Sequence, residues 1–254
     1  MDSGLQFYVK NIKEFIKDQN ASILICGAGA SDKKVFELLS YTNVTMSGMD
    51  LRPGITGSFK QLKENAEALS FEDNAYDYCI MHASVHHTRL PHKVITELYR
   101  VSRKGFLVIE ARDSFLMRAT QFIGLTEEYE VKGNFPGSGV NGTDIPNYIF
   151  RWTEEEIKKT IKCYDPCYHH DFEFRYGTYY PDGEGKSSWK KVMIKMLQPI
   201  HSMVMFLFPK QGNRFAFFVK KAGLNSDLQP WLKRNEQSLI EVDRHYIKNV
   251  YLRR

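Results

Sequence analysis

The chain has 254 residues, 43% hydrophobic and 26% charged, which is long enough for one α/β domain with a substantial core. Its net charge of +5 is mild and its basic residues are scattered, so the basic stripe expected of a nucleic-acid-binding protein is absent from the sequence. No apolar run approaches the roughly 18–20 residues of a membrane span, and four cysteines are too few for a disulfide framework. We therefore expect a cytoplasmic protein with no nucleic-acid partner and no membrane span.

The N-terminal segment, residues 1–19, predicts an amphipathic helix. Its apolar residues recur at helical spacing, at Leu5, Val9, Ile12 and Ile16. We expect this helix to cover the sheet or a ligand cleft of a single domain that spans 1–254. The core of that domain is assigned to 20–222 and its tail to 223–254.

A ligand-binding turn is predicted directly after the first strand. The continuous apolar run Ile23–Cys26 indicates a strand buried on both faces, as in parallel sheets. Gly27 and Gly29 follow, and they let the backbone turn sharply and approach a ligand closely. Ser31 or Asp32 is expected to cap the next helix, whose first N–H groups would face that ligand. This arrangement is typical of a cofactor loop in an α/β sheet.

The next strand narrows the choice of cofactor. It spans Val44–Met49 and ends in Asp50, a carboxylate that could accept hydrogen bonds from ribose hydroxyls. The dinucleotide fingerprint requires a third glycine where Asp32 stands, so the pattern disfavours a nicotinamide. A third strand is expected near 60–64, after a connection too short for a regular crossover helix.

Strands and helices then alternate towards the C-terminus. We predict a fourth strand over 76–81, a helix from Pro91 to Val101 and a fifth strand over 106–110. Residues 112–150 predict a long irregular insertion, rich in glycine and asparagine. The later predicted elements are a helix over 154–163 opened by the capping box Thr153–Glu156, a strand over 170–176, a helix over 186–197 within an insertion at 184–211, and an aromatic strand over 214–220.

Taken in order, these segments resemble the class I S-adenosylmethionine-dependent methyltransferases of the small-molecule type. The glycine turn, Asp50, the segment Asn65–Ile80 and the run Met81–His87 carry the resemblance, which spans roughly residues 20–222. It implies a doubly wound, Rossmann-like sheet of seven mostly parallel strands with a terminal antiparallel pair. It also implies S-adenosyl-L-methionine as cofactor and methyl transfer to a small molecule, at an oxygen of a sugar, a glycan precursor or a secondary metabolite.

The resemblance also assigns the cofactor contacts. Asp50 would hold the ribose, Leu51 would stack beside the adenine, and Asn65 with the main chain of Ala66 would meet the adenine edge. The full predicted set is Gly27, Ala28, Gly29, Asp50, Leu51, Asn65, Ala66, Glu67 and His82.

Two positions depart from the family pattern and leave alternatives open. Ile25 stands where an acid commonly positions the methionine part of the cofactor, and Ser31 replaces the last glycine. One alternative is a protein of this fold that binds a partner without activity. The other is a nicotinamide-dependent oxidoreductase, which the missing third glycine disfavours.

Histidines just past the fourth strand are the predicted catalytic groups. A neutral imidazole of His86 or His87 suits removal of a hydroxyl proton near pH 7. The predicted substrate contacts, all in the long insertion, are Asn141, Asp144 and Tyr148.

Three further features have more than one interpretation. Glu110 and Arg112 lie where substrates sit in such folds, but they could equally form a structural ion pair. Cys163, Cys167 and His169–His170 are metal-ligand types, yet they are crowded into one turn, so we interpret them as ordinary packing and predict no metal site. A homodimer is left open.

Overall fold

The computed structural model describes residues 3–48, 59–131, 137–178, 188–221 and 228–251. The helices within these ranges are α1 Ser3–Phe15, α2 Ala30–Leu39, α3 Pro91–Val101, α4 Phe115–Phe122, α5 Glu154–Tyr164, α6 Ser188–Leu207 and α7 Arg244–Val250. The strands are β1 Ile23–Cys26, β2 Val44–Gly48, β3 Lys60–Lys63, β4 Tyr76–His82, β5 Ser102–Ala111, β6 Asp171–Gly177, β7 Arg214–Lys220, β8 Leu232–Arg234 and β9 Ile240–Val242. Short 3-10 turns are Val85–His87, Val140–Gly142 and Pro209–Gln211.

Seven strands form one sheet in the order β3-β2-β1-β4-β5-β7-β6. The first five of these strands are parallel, whereas β7 runs antiparallel to both β5 and β6. The predicted Rossmann-like sheet with an antiparallel end is therefore confirmed. The strand order reverses between β1 and β4, and open α/β sheets bind their ligands at such a switch point.

Helices cover both faces of the sheet, because the central strands are apolar along their length. All four residues of β1 are buried. On one face α1 and α2 bury Tyr8 and Phe36 against the sheet. On the other face α3 and α5 bury Leu98 and Ile157. Burying each such large side chain contributes about 1.5–3 kcal/mol, and this double layer fixes the strand ends that carry the site.

The start of α2 differs from the prediction. Neither Ser31 nor Asp32 is the N-cap; Gly29 takes that position, and Asp32 lies in the first turn. The Asp32 carboxylate accepts a hydrogen bond from the Gly29 N–H at 2.8 Å. The prediction was wrong because Asp32 bonds the N-cap from inside the first turn of the helix, as the acid of a capping box does, although glycine offers no side chain for the second bond of that motif.

Two helices also differ from the sequence-based expectation. The insertion 112–150, predicted to be irregular, contains α4, which Ser114 caps by accepting a hydrogen bond from a backbone N–H. Helix α6 runs on to Leu207 instead of ending near Leu197, with Pro199 in its interior. The glycine and asparagine residues that indicated a loop lie after α4, so they do not prevent the helix.

Strand β5 begins directly where α3 ends. The sequence predicted this strand over 106–110, but it begins at Ser102, and Gly105 pairs within it. Its φ is +149°, and a Cβ atom there would come within 2.4 Å of the Val219 carbonyl oxygen. The glycine is needed because β7 approaches its backbone closely.

Helix α6 presents an apolar face to solvent. Its more than half-exposed side chains include Val192, Met196, Ile200, Met203 and Leu207. Spacings of three and four residues place them on one side of the helix. No helix in the described part of the chain is long and apolar enough to cross a membrane.

Asp77 connects the amino ends of the central strands. Its carboxylate accepts hydrogen bonds from the backbone and hydroxyl of Ser22, at 3.0 and 3.2 Å, and from Arg103 at 2.7 Å. Lys104 lies 3.1 Å away. Burial alone would raise the pKa of Asp77, but the hydrogen bonds from Arg103, Ser22 and Lys104 outweigh it and lower the pKa to about 2. The carboxylate therefore ties β1, β4 and β5 together at their amino ends.

We expect Asp77→Asn to destabilise the fold by about 1 kcal/mol at pH 7, because Arg103 and Lys104 are half-exposed and solvent screens them. The folded pKa lies below the unfolded value near 3.9, so the stabilisation is complete above pH 5 and is lost as the pH falls towards 2. Urea unfolding at pH 7 and pH 3 measures the free energy of unfolding of each variant. The wild type and Asp77→Asn should converge at low pH, whereas Asp171→Asn, at an exposed position, should match the wild type at both.

Candidate active site

Gly27 shapes the turn between β1 and α2. Its φ of +63° lies in the left-handed region, and a Cβ atom there would come within 2.7 Å of the Ser84 Cβ. The Ser84 hydroxyl donates a hydrogen bond to the Gly27 carbonyl at 3.1 Å. At Gly29, by contrast, a Cβ atom would meet only a carboxylate oxygen of Asp32, at 3.7 Å. The turn therefore brings bare main chain to the carboxyl edge of the sheet.

Asp32 holds this turn from within the fold. One carboxylate oxygen accepts from Gly29 N–H, and the other accepts from the hydroxyl of Tyr8 on α1 at 2.8 Å. His82, at the end of β4, lies 4.0 Å from the second oxygen and stacks on the Tyr8 ring. Burial raises the pKa of Asp32 and lowers that of His82, and each group opposes the shift of the other. Ile25 is fully buried in the core, and the carboxylate that contacts this turn is that of Asp32.

A cleft with about 680 Å³ of open space lies at the carboxyl ends of β1 to β4. Gly27, Ala28 and Gly48 contribute backbone and small side chains to its lining. Residues 64–66, which follow β3, form a second part of the lining. The glycine-rich residues 137–142 of the long insertion lie across from them. The cleft thus combines backbone from the glycine turn with a polar loop, a mixture that is usual for ligand sites.

Predicted cofactor residues after β3 have two different surroundings. Asn65 and Ala66 line the cleft, and the Asn65 side-chain oxygen also accepts from the Glu67 N–H at 2.9 Å. The Glu67 carboxylate instead accepts from the backbone N–H groups of Arg89 and Leu90, just before α3. The Glu67 side chain therefore anchors the start of α3, and a cofactor contact by this residue stays a prediction.

His86 is oriented by a carboxylate that the sequence analysis interpreted differently. Its Nδ1 lies 2.6 Å from Oε2 of Glu110, whose side chain is fully buried at the end of β5. Oε1 of Glu110 accepts from the backbone N–H groups of Ser84 and Val85, at 2.8 and 2.7 Å. Burial would raise the pKa of Glu110, but His86 and these N–H groups outweigh it and hold the pKa below its usual range. An ionised carboxylate only accepts, so Nδ1 carries the proton and Nε2 faces away from Glu110.

The outward nitrogen of His86 meets a second carboxylate. Its Nε2 is 3.7 Å from Oε2 of Glu130, and Nε2 of His87 is 3.6 Å from the same oxygen. The two imidazole rings lie side by side, with centroids 4.5 Å apart. Just before this turn, Ala83 has a φ of +48°, an unfavourable conformation for a residue with a side chain. His87 lines the cleft, so this cluster lies at its wall.

Of the remaining predicted cofactor and substrate residues, one lines the cleft, two do not, and two lie outside the described part of the chain. Asp50 and Leu51 lie outside the described residues. Asn141 lines the cleft, in a left-handed conformation with φ of +50°. Asp144 and Tyr148 are not among the lining residues: the Asp144 carboxylate accepts from a backbone N–H at 2.8 Å, and Tyr148 packs edge-on against Tyr129. Their contact with a substrate stays a prediction.

The suggested ion pair between Glu110 and Arg112 does not form. Arg112 donates to both carboxylate oxygens of Glu154 at 2.8 Å, while Glu110 turns to His86. Residues two apart in a strand lie on the same face, so the sequence allowed the pair. Each side chain instead finds a partner from another part of the chain, and only tertiary structure decides this. Among the described residues, the segment 163–170 brings no group of three metal ligands together.

Sequence reasoning missed Glu130, Glu64 and Ser138 in this site. Glu64 and Ser138 line the cleft, and Glu130 approaches the histidine pair. Glu64 follows a strand end, a position that could have flagged it. The other two lie in the long insertion, where no periodicity or motif distinguishes one polar residue from the next.

Comparison with known families identifies the part of the chain that builds the cleft. Residues 26–109 match the sequence profile of a family described as methyltransferase domain. The match includes the glycine turn, the ends of β2 to β4 and the histidine pair. This segment is similar to methyltransferase domains, and the predicted resemblance is confirmed. The protein is accordingly an enzyme of methyl transfer, and its cofactor is S-adenosylmethionine. No curated protein matches the sequence.

Solved methyltransferase structures share the fold. A methyltransferase from Thermotoga maritima, described as a possible histamine N-methyltransferase, is 14% identical with a TM-score of 0.53, over 86% of this chain and 90% of its own. The YcgJ protein from Bacillus subtilis is 13% identical with a TM-score of 0.54, over 87% and 98%. Magnesium protoporphyrin IX methyltransferase from Synechocystis, solved with bound SAH, is 11% identical with a TM-score of 0.52, over 86% and 82%. At these identities the likeness extends to the fold alone.

The residues of the cleft fit an adenosyl group. Bare main chain at Gly27, and the short side chains of Ala28 and Ala66, leave room for a flat nucleoside. Asn65 offers an amide that can both donate to and accept from the edge of adenine. Met81 adds an apolar wall. These residues are chemically compatible with S-adenosylmethionine, and their contact with it stays a prediction.

We expect Gly27→Ala to weaken binding of S-adenosylhomocysteine at least tenfold, because the added Cβ overlaps Ser84 and displaces the turn. Gly124→Ala is the matched control: Gly124 also has a positive φ, of +71°, but a Cβ atom there meets nothing within 4 Å. Both variants incur the cost of a left-handed alanine, about 1–2 kcal/mol. Calorimetric titration of both variants isolates the effect of the overlap, and equal affinities would show that the turn tolerates it.

Proposed function

We propose that this methyltransferase transfers the methyl group of S-adenosylmethionine to a hydroxyl oxygen of a small polar molecule, in the class of sugars, glycan precursors and hydroxylated secondary metabolites. One observation supports the proposal most strongly. One cleft is lined both by the glycine turn and by His87 with Asn141. Donor and acceptor would therefore meet in one continuous space.

The lining favours a polar acceptor over an apolar one. Ser138, Asn141, Thr88 and His87 contribute hydroxyl, amide and imidazole groups to the cleft. Three glycines of the loop at 137–142 also line the cleft, and they bring the backbone close to a ligand. Sites lined in this way select ligands that carry hydroxyls, because an apolar ligand would leave those polar groups unpaired.

The histidine cluster favours oxygen as the methylated atom. A hydroxyl must lose a proton as the new bond forms, whereas a neutral amine can attack first and lose its proton later. His86 and His87, with Glu130, provide nitrogen and oxygen lone pairs at the cleft wall. The Glu110 carboxylate raises the pKa of His86 against the opposing effect of burial. We therefore assign deprotonation of the acceptor to this cluster.

The reaction itself is an in-line displacement at the methyl carbon. The acceptor oxygen forms a bond to that carbon, the carbon–sulfur bond breaks, and the sulfur leaves as uncharged S-adenosylhomocysteine. Because the positive sulfur is already a good leaving group, alignment of the two molecules is the main task of the protein, worth up to roughly 7–11 kcal/mol. Asp144 and Tyr148 would contribute to this alignment if closure of the insertion brings them to the acceptor.

Cofactor binding is tested by titration with S-adenosylhomocysteine and with NAD. We expect the first to bind and the second not, and the reverse would favour an oxidoreductase. We expect Asp50→Ala to weaken S-adenosylhomocysteine binding at least tenfold, because a ribose-binding carboxylate would be lost. Asp171→Ala, at an exposed strand position, is the control. An unchanged dissociation constant for Asp50→Ala would remove this residue from the site.

The acceptor assignment is tested with a panel of free sugars, nucleotide sugars and hydroxylated aromatic compounds, with S-adenosylhomocysteine formation as the readout. For any acceptor that reacts, we expect His87→Ala to lower kcat about 10²–10⁴-fold, as loss of a proton-removing group does. Binding of S-adenosylhomocysteine should be unaffected. His169→Ala, an exposed histidine outside the cleft, is the control. A fall in cofactor affinity without a fall in kcat would assign His87 to the cofactor instead.

A further inference from the structure

Three potential metal-ligand atoms converge at the wall of the cleft. Nε2 of His86, Nε2 of His87 and a carboxylate oxygen of Glu130 lie within 4.8 Å of one another. The two nitrogen–oxygen distances are 3.7 and 3.6 Å. Both exceed the 2.7–3.2 Å of a hydrogen bond, so the three groups lie close together without hydrogen bonds to one another.

The two nitrogen–oxygen distances are close to those that a shared cation would impose. Nitrogen and oxygen ligands bind a first-row cation at about 2.0–2.2 Å, which places neighbouring ligands about 3.3–3.6 Å apart around a tetrahedron. The Glu130 oxygen that faces both rings is itself buried and has no hydrogen-bond partner in the described structure. A buried carboxylate oxygen that faces two ring nitrogens without a hydrogen bond is stabilised by a proton or a cation between the groups.

His86 has the second partner that metal-bound histidines usually have. The Glu110 carboxylate accepts from its Nδ1 at 2.6 Å, so the proton is on Nδ1 and the lone pair of Nε2 is directed at Glu130. Glu110 is fully buried, and two backbone N–H groups hold its other oxygen. A carboxylate that orients a ring in this way also raises its basicity, which strengthens a nitrogen–metal bond.

Glu130 is positioned by the fold and not by its side chain alone. Its N–H donates to the Asn147 carbonyl at 3.0 Å, and the preceding residue, Tyr129, pairs with Tyr148 as an antiparallel bridge. The backbone on both sides of the insertion is thus tied together at the point where the carboxylate meets the histidines. Both histidines come from one 3-10 turn, so all three ligands are on anchored backbone.

We propose that His86, His87 and Glu130 bind one divalent transition-metal cation beside the cofactor cleft. Two imidazoles and one carboxylate suit Zn²⁺, Co²⁺ or another first-row ion and leave coordination positions open. With both histidines neutral, the carboxylates of Glu130 and Glu110 balance the charge of the ion. The site departs from the sequence analysis, which predicted no metal, because Glu130 lies 43 residues along the chain from His87 and no spacing motif connects them.

The position of the ion suggests its use, and this step rests on the proposed function. His87 lines the cleft, so an open coordination position would face the acceptor. A hydroxyl oxygen bound to the cation loses its proton to water more readily, since the positive charge stabilises the alkoxide. That oxygen then attacks the methyl carbon, and the products are the methyl ether and S-adenosylhomocysteine, with the proton released to solvent.

The test is calorimetric titration of the untagged, chelator-treated full chain with Zn²⁺ and with Co²⁺ alone. We expect one equivalent to bind, and the absorption spectrum of bound Co²⁺ should show a low-coordinate nitrogen and oxygen environment. Glu130→Gln should weaken affinity at least tenfold, and Glu110→Gln by about 10–100-fold, as loss of an orienting partner does. Glu128→Gln, which removes the same charge at an exposed neighbouring position, should bind like the wild type.

Binding of no cation by the wild type would overturn the proposal, as would equal affinity of Glu130→Gln and Glu128→Gln. S-adenosylhomocysteine titration of the same samples separates this failure from failure of the proposed function. A protein that binds S-adenosylhomocysteine but no cation lacks only the metal site. One that binds a cation but not S-adenosylhomocysteine keeps the metal site and loses the methyltransferase assignment. If the chelator-treated protein and the metal-loaded protein have equal activity, the imidazoles remove the proton themselves and the catalytic role of the ion is excluded.

Discussion

The site depends on one buried carboxylate, that of Glu110. Its two oxygens accept from two consecutive backbone N–H groups and from the ring of His86. Because Ser84 also donates to Gly27, the same contacts tie the histidine turn to the cofactor turn. Burying a charge without partners would cost several kcal/mol, so these charge-assisted hydrogen bonds act as a unit. Loss of any one of them weakens both the cofactor end and the catalytic end of the cleft.

The strand order explains why these groups meet at all. From β1 the strand order runs to one side of the sheet through β2 and β3, and from β4 it runs to the other side. The connecting helices on the two sides of this switch point lie on opposite faces of the sheet, which opens a crevice between them. Gly27 ends β1, and Ser84 follows β4, its hydrogen-bonded neighbour. Glu110 arrives from the next strand, β5. Residues far apart in sequence are therefore brought together by the register of three parallel strands.

Much of the fold follows from the sequence. Runs such as Ile23–Cys26 are apolar at every position, and only a sheet covered on both faces buries them. The capping box at Thr153 likewise predicted the start of α5, which is confirmed. These features are local, so the chain segment itself contains the information. The predicted N-cap of α2 was wrong. Asp32 could be the N-cap itself or could bond the N-cap from inside the first turn, and its contact with Tyr8 favours the second arrangement.

The candidate site was less predictable, for a related reason. The sequence points to His86 and His87 through their place after an apolar strand, but it says nothing of which nitrogen faces the cleft. That depends on Glu110, 24 residues away from His86, and on Glu130 in an insertion without periodicity. Side-chain partners across such separations are set by tertiary packing. The sequence therefore locates the site but does not reveal how its groups are charged and oriented.

The capping of Gly29 by Asp32 has a consequence for ligand exchange. Contacts inside the chain already fix the turn, through a helix on one side and a strand on the other. A ligand that meets such a rigid surface pays little in lost backbone freedom, so its affinity depends on its own contacts. Turnover would then proceed without refolding of this loop: spent cofactor leaves, and the next molecule finds the same shape.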